Sequence, residues 1–395
     1  MLAPTDRLLI TERRRLDSMA ELTEPWRCLA ATAIERNVFY EPAFAMAAVA
    51  PNTALGGDVE TILVWSVDTP RRLVGLFPFR IERRRYLVKL PVLAGWTHRF
   101  APLGTPLIDR DLCAEVVATF LDRVAGDDEL PGLMLFPFID ESGPVAAALR
   151  AALTKGGTSS GGRAECELWA AFGRHRRAAL KPDAARSGYL ERAISVKRRK
   201  ELRRRRHRLA DSREANFTVA STPLEIMQAL EEFFALEAAG WKGRAGTAMA
   251  RHPAIRQFVE TAMYGLAVNR QIQVARFACG SRAIASVLVL RSGTTAWSWK
   301  VAYDEDFATT SPGVQLFLDL TEALLADPSI DAVDSCAAPD HPMIDHIWRE
   351  RIPIADLLIA TRPRASLALA RQLEAARRSI TALARHLRGR LRQHS

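Results

Sequence analysis

The order of hydrophobic periodicities along the chain predicts an α/β (α+β) fold built twice, each half a mixed, mostly antiparallel sheet flanked by helices, with a basic helix at the end. Three observations predict it. The 395 residues exceed one ordinary core, since domains cluster near roughly 100 to 150 residues. In each half, period-two apolar runs come first, and helical runs then alternate with further strands. The same order occurs twice at low identity, as an internal duplication would leave it. The expected divisions are residues 1–185, 186–362 and 363–395.

In the first half a helix is expected from about Pro25 to Ala33, then strands from Glu60 to Val67, Leu73 to Ile81 and Tyr86 to Leu93. After the loop Ala101 to Pro106 come a helix from Leu112 to Val124, a strand from Gly132 to Ile139, a short helix from Pro144 to Leu153 and a strand from Cys166 to Phe172. The turn-forming Lys181-Pro182-Asp183 marks the junction, and a basic helix follows it. In the second half, helices from Pro223 to Ala239 and Pro253 to Val268 precede a meander of Gln271–Ala278, Ala283–Arg291 and Thr295–Tyr303. A helix from Pro312 to Ala326, a strand Ala332–Ser335, a helix His341–Trp348 and a strand Ile352–Ala360 complete it. Beyond Pro363 the chain reads as one helix, with Leu367, Leu369, Leu373, Ile380, Leu383 and Leu387 near one face and arginines on the others.

A hydrophobic content of 48% with 25% charged residues is that of a folded, water-soluble chain. The five cysteines, Cys28, Cys113, Cys166, Cys279 and Cys336, have no spacing that suggests a metal or a redox pair, so no metal is expected and the thiols read as reduced. Neither a signal-like segment nor a run near the ~20 apolar residues of a membrane span is present. A cytoplasmic protein is expected. The net charge of +10 is concentrated in Lys197–Arg208 and Arg371–Arg392. The first run lacks interleaved aromatics, so it reads either as a solvated helix face or as a contact to a polyanion such as tRNA. Oligomeric state is left open.

The segment with the most chemistry runs from Trp297 through Trp299, Lys300, Tyr303, Asp304 and Glu305 to Ser311-Pro312-Gly313-Val314-Gln315. Ser311 suits an N-cap, Pro312 the first helical position, and Gly313 a close approach by another group. A helix that starts at the end of a strand offers unpaired amides to an anion, and the position after the third meander strand is where ligands enter open α/β sheets. A pyrophosphate cradle is therefore expected at Ser311 to Gln315, with Lys300 beside it. Tyr303, Asp304 and Asp334 are the expected catalytic residues, with Glu305 and His341 as further candidates. Trp241, Lys242 and Arg244, which follow a helix-ending Gly240, are placed in the substrate cleft with Trp299 and Glu305.

The stretches Leu236-Glu237-Ala238-Ala239-Gly240-Trp241-Lys242-Gly243-Arg244, Trp299-Lys300-Val301-Ala302-Tyr303-Asp304-Glu305 and Ser311-Pro312-Gly313 resemble the GNAT-superfamily acetyltransferase domain of CelD-type proteins, linked to cellulose or exopolysaccharide biosynthesis and related to Fem-type transferases. The likeness covers about Leu190 to Ala360. In the first half only Trp26 and Asn37-Val38-Phe39-Tyr40-Glu41-Pro42 resemble such proteins.

The resemblance implies tandem GNAT-like domains, the first degenerate, and transfer of an acyl group, acetyl first among them, from acetyl-CoA or another acyl-CoA to an amine or hydroxyl of a sugar or polysaccharide precursor. The usual Gln/Arg-x-x-Gly-x-Gly/Ala loop is replaced here by Ser-Pro-Gly-Val-Gln. Two alternatives therefore stay open: a Fem-type transferase that takes its group from aminoacyl-tRNA, and a non-catalytic partner in polysaccharide assembly. Gly-x-Ser-x-Gly, P-loop and His-Glu-x-x-His patterns are missing, which removes the usual support for hydrolase, nucleotidase and zinc-protease readings.

Overall fold

The computed structural model describes residues 8–53, 55–86, 88–155, 168–181, 186–210, 215–362 and 367–393. The first part of the chain forms β1 (Leu9–Arg15), α1 (Thr23–Thr32), α2 (Pro42–Val49), β2 (Glu60–Ser66), β3 (Arg72–Glu82), β4 (Val92–Gly95) and β5 (Leu107–Ile108). It continues with α3 (Cys113–Gly126), β6 (Leu133–Asp140), α4 (Pro144–Lys155), β7 (Trp169–Leu180), α5 (Tyr189–Ala193), α6 (Val196–Ala210) and β8 (Ala215–Ala220). Next come α7 (Pro223–Ala239), α8 (Trp241–Arg244), α9 (Pro253–Val268), β9 (Ile272–Cys279), β10 (Arg282–Ser292) and β11 (Thr295–Tyr303). The last elements are α10 (Pro312–Ala326), β12 (Ala332–Asp334), β13 (Glu350–Ala360) and α11 (Leu367–Gln393).

The chain divides into two compact units, one of Met1–Glu35, Asp58–Arg174 and Pro353–Ser395, the other of Arg36–Gly57 and His175–Ile352. In unit 1 the strands run β1-β2-β3-β4-β6-β13, with β5 on β3. All neighbours are antiparallel except β4 and β6, which α3 connects as a parallel pair. Unit 2 repeats the plan as β8-β9-β10-β11-β12-β7. There β11 and β12 are the parallel pair, joined by α10. Parallel strands need such a crossover, and a helix supplies it in both units.

The sixth strand of each sheet comes from outside the half of the sequence that builds the other five. Ile354 of β13 pairs with Asp140 of β6, and Leu180 of β7 pairs with Val333 of β12. The segment Arg36–Gly57 likewise packs with unit 2, where Phe44 of α2 meets Phe258 of α9 and Trp299 of β11 edge-on.

On the opposite face of that sheet α10 buries Leu316, Leu320 and Leu324 beside Trp348, each leucine worth about 1.5–3 kcal/mol on leaving water. In unit 1, Phe120 of α3 stacks on Phe77 of β3, with ring centroids 3.8 Å apart. The other face is covered by the first turns of α11 through Leu367 and Ala370.

Several boundaries differ from the periodicity. The strand expected from Tyr86 shrinks to β4, because Pro91 brings no ladder donor and the chain turns before it. The expected His341–Trp348 helix is only a 3₁₀ turn at Ile344–His346; Asp340 is left-handed at φ 58° and Pro342 comes two residues later. The final strand of the first half begins at Trp169 and runs to Leu180, while Cys166 and Pro182-Asp183 lie outside the described residues. Strands β1 and β8 have little apolar alternation, which hid them; both are end strands of their sheets.

Candidate active site

Strands β11 and β12 pair only from Thr295 and Ala332 to Trp297 and Asp334, and then part. A cavity of about 500 Å³ opens beyond that point. On the β11 side, Leu288 of β10 faces Lys300 whereas Val289 faces Ser298, so Trp299 is bulged out of register. Strict alternation would send neighbouring side chains to opposite faces; the bulge re-aims them. Ser298, Trp299 and Lys300 consequently all line the cavity.

The start of α10 forms a second wall, with Ser311, Pro312, Gly313 and Val314 on the cavity. The first backbone bond within this helix runs from the Gln315 amide to the Ser311 carbonyl, at 3.1 Å. The amides of Gly313 and Val314 precede it, and Pro312 has none to offer. Two N–H groups at the positive end of a fifteen-residue helix thus edge the cavity, an arrangement that favours an anion.

Ser311 departs from the N-cap expectation. It is left-handed (φ 55°, ψ 57°) and makes no side-chain cap, because that backbone turns its side chain away from the helix. Its Oγ instead accepts from Arg205 Nη1 of α6 at 2.5 Å. Gln315 faces away from the cavity and is buried; its Nε2 donates to the Leu202 carbonyl at 2.8 Å, fastening α6 to α10.

The third wall comes from the α7–α8 corner, where Trp241 and Lys242 reach the cavity. Gly243 makes that corner possible, since a Cβ there would lie 1.8 Å from the Ala238 carbonyl oxygen. Beneath it, Lys242 Nζ donates to Glu237 Oε1 at 2.8 Å, and Glu237 Oε2 accepts the Met249 amide at 2.7 Å. Arg244 lies off this cavity. It holds Glu305, which also accepts the Trp241 amide, with both distances 2.6 Å. These donors keep the Glu305 carboxyl below the ordinary range, Arg244 chiefly.

The expected catalytic carboxylates are placed elsewhere. Asp304 is paired with Arg282 and accepts the Asp306 amide through Oδ1 at 3.1 Å, outside the cavity lining. Asp334 is buried against Arg177, whose Nη1 lies 2.8 Å from Oδ2, and its Oδ1 accepts the Cys336 amide. Tyr303 does line the cavity. Among the described residues lining it there is no carboxylate; Lys300 brings a positive charge, and that of Lys242 is matched by Glu237.

Two further residues line the cavity: Cys336, which sequence reasoning did not single out, and His341, which it named as a further candidate. Cys336 follows β12 in a left-handed conformation (φ 52°), and burial pushes its thiol well up. His341 accepts the Met343 and Ile344 amides on Nδ1, at 3.3 and 3.4 Å. Burial pulls this imidazole below its ordinary value, so it is neutral at pH 7 with its proton on Nε2. Such an imidazole donates a hydrogen bond and has no free lone pair for a proton.

Unit 1 has a smaller cavity, about 200 Å³, where its own parallel strands β4 and β6 part, bordered by Gly95, Trp96, Pro137 and Phe138. Arg85 on its wall is bound to Glu82 and to the buried Glu374.

These sites belong to a recognised class of fold. Residues 196–341 match the family model of the acetyltransferase (GNAT) domain. No curated protein matches the sequence. Among solved structures, a conserved protein of unknown function from Bacteroides thetaiotaomicron is similar with a TM-score of 0.52 at 11% identity, over 89% of this chain and 100% of that one. The C-terminal domain of a putative lysylphosphatidylglycerol synthetase from Agrobacterium fabrum gives 0.52 at 13%, over 91% and 96%. FemX gives 0.50 at 10%, over 87% and 96%. Residues 196–341 are thus similar to the GNAT acetyltransferase domain, and the chain shares an architecture with these structures over most of its length.

Proposed function

We propose that unit 2 transfers an acyl group, acetyl first among the candidates, from acyl-CoA to an amine or hydroxyl of a sugar or polysaccharide precursor. The observation that carries this reading is the pair of amides at Gly313 and Val314 beside a cavity lined by Lys300 and, among its described lining residues, by no carboxylate. That surface suits the pyrophosphate of coenzyme A, with Lys300 beside it, and leaves the parted strands for the pantetheine arm. The CelD-type likeness of the sequence segments is the support for a saccharide acceptor.

Acyl transfer needs alignment, removal of one proton from the acceptor and relief of charge on the carbonyl oxygen. The acceptor nitrogen or oxygen forms a bond to the thioester carbon, the oxygen becomes an oxyanion, and the C–S bond then breaks as the thiolate gains a proton. In this scheme His341 Nε2–H faces the oxyanion, the Tyr303 hydroxyl supplies the proton to the departing sulfur, and the proton released by the acceptor passes through water to the Tyr303 oxygen and restores it. Asp304 and Asp334 act as positioning residues, holding the turn after Tyr303 and the bend at Cys336. Trp241, Lys242 and Trp299 border the acceptor.

Calorimetric titration with acetyl-CoA and coenzyme A tests the donor site. Micromolar binding that weakens at least about tenfold in Gly313→Glu is expected; unchanged affinity in that variant rejects the placement. A protein that binds neither compound rejects the reading and leaves the aminoacyl-tRNA donor to be tested next, and after it the non-catalytic partner.

A second reading, a Fem-type transfer from aminoacyl-tRNA, is favoured by Arg205. Its bond to Ser311 places the basic helix α6 at the start of α10. It predicts salt-dependent tRNA binding that is lost in Arg203→Glu/Arg204→Glu.

A further inference from the structure

Helix α11 changes character midway. Its first turns are built into unit 1: Leu367 and Ala370 are buried with Tyr86, Leu135 and Leu358, and the fully buried Glu374 accepts from Arg85, Arg377 and Arg378. From Ser379 onward every side chain described is exposed. Ile380 is 68% exposed and Leu383 60% exposed, a large apolar surface left in water by an otherwise well-packed unit. The sequence continues the same helical spacing with Leu387 and Leu391. The stretch Ser379–Ser395 also contains Arg385, Arg388, Arg390 and Arg392, and no acidic residue.

We propose that this half of α11 lies in the surface of an anionic lipid bilayer. A helix with one apolar stripe, arginines around it and no acids binds in the interface plane, its stripe among the acyl chains and its arginines on the headgroups. The other two occupants fit less well. A second copy would bring two acid-free, arginine-rich helices together, with no opposite charges to pair across a coiled-coil seam. A nucleic acid would meet the arginines but leave Ile380 and Leu383 wet. The helix lies on the membrane and does not cross it, because no described helix is long and apolar enough to span one. The proposal does not depend on the donor assigned to unit 2.

The test is sedimentation of the full chain with vesicles of phosphatidylcholine alone and of phosphatidylcholine mixed with phosphatidylglycerol, alongside light scattering in solution. Binding to the phosphatidylglycerol vesicles, weakened by salt and reduced at least about tenfold in Ile380→Asp/Leu383→Asp, is expected. Both positions are exposed, so circular dichroism and melting of that variant should match the parent; if they do not, Leu383→Asn alone provides the comparison. Equal recovery on the two vesicles, or none, overturns the proposal. So does binding indifferent to the substitutions, which marks a contact by charge alone, and so does a dimer that the same substitutions separate, which marks a second copy on this face.

Discussion

Lys242 and Glu237 form an ion pair under the candidate active site, with Nζ 2.8 Å from Oε1 and the glutamate side chain 2% exposed. The pair joins the cavity wall to the interior of α7, and the other carboxylate oxygen holds the Met249 amide. Removing one member of a buried pair leaves the other without its partner, which costs more than the pair contributes. Glu237→Ala should therefore destabilise the protein by about 3 kcal/mol. An unfolding free energy from urea titration lowered by only about 1 kcal/mol or less would show that solvent reaches the lysine.

The two glycines of the site should respond in opposite ways. At Gly243 an alanine Cβ would overlap the Ala238 carbonyl, at 1.8 Å. Gly243→Ala should open the α7–α8 corner, lower the melting temperature and expose the corner to proteolysis. At Gly313 the nearest atoms to a new Cβ are Met343 Sδ at 3.4 Å and Tyr303 Cδ1 at 3.5 Å, ordinary contacts. Gly313→Ala should fold as well as the parent or gain up to about 1 kcal/mol from the helical preference of alanine. Thermal melts of the two variants side by side check both expectations.

Stability should also depend on pH through Glu35 at the start of α4. Its carboxylate accepts the Val145 amide at 2.7 Å, and burial pushes its pKa from 4.5 up to about 7. The folded protein then holds a proton that the unfolded chain has released, so the contribution of this group is full below about 4.5 and is lost as pH rises to about 7. The part due to this group is on the order of 1–3 kcal/mol. Glu35→Gln keeps an acceptor for Val145 and should flatten that decline between acid and neutral pH. An identical slope in the variant, measured by denaturant titration across the range, would reject the assignment.

Much of unit 2 was readable in the sequence because its signals are local. The alternation in Gln271 to Tyr303 marks the meander, and Ser311-Pro312-Gly313 marks where α10 begins. Trp241, Lys242, Trp299, Lys300 and Gly313 were singled out, and all five lie on the cavity. The direction of a side chain was not legible. Asp304 looks like a site carboxylate in a linear reading, yet Arg282 and its own following turn take both of its oxygens. The bulge at Trp299 depends on the register with β10, which one strand cannot reveal. Cys336 and His341 reach the cavity because Cys336 and Asp340 are left-handed, and neither is a glycine that would have announced the turn.

The late arrival of β13 beside β6 has a consequence for how the molecule comes into being. As the chain leaves a ribosome, β1 to β6 emerge early, but the partner for the open side of β6 is Ile354 to Ala360. Until those residues are made, the edge from Leu133 to Asp140 stays unpaired and is a place where two nascent chains could join. A fragment cut after residue 185 would keep that edge permanently. Gene designs that separate the halves should therefore carry Pro353 to Ala360 with the first half, attached after β6 through a linker.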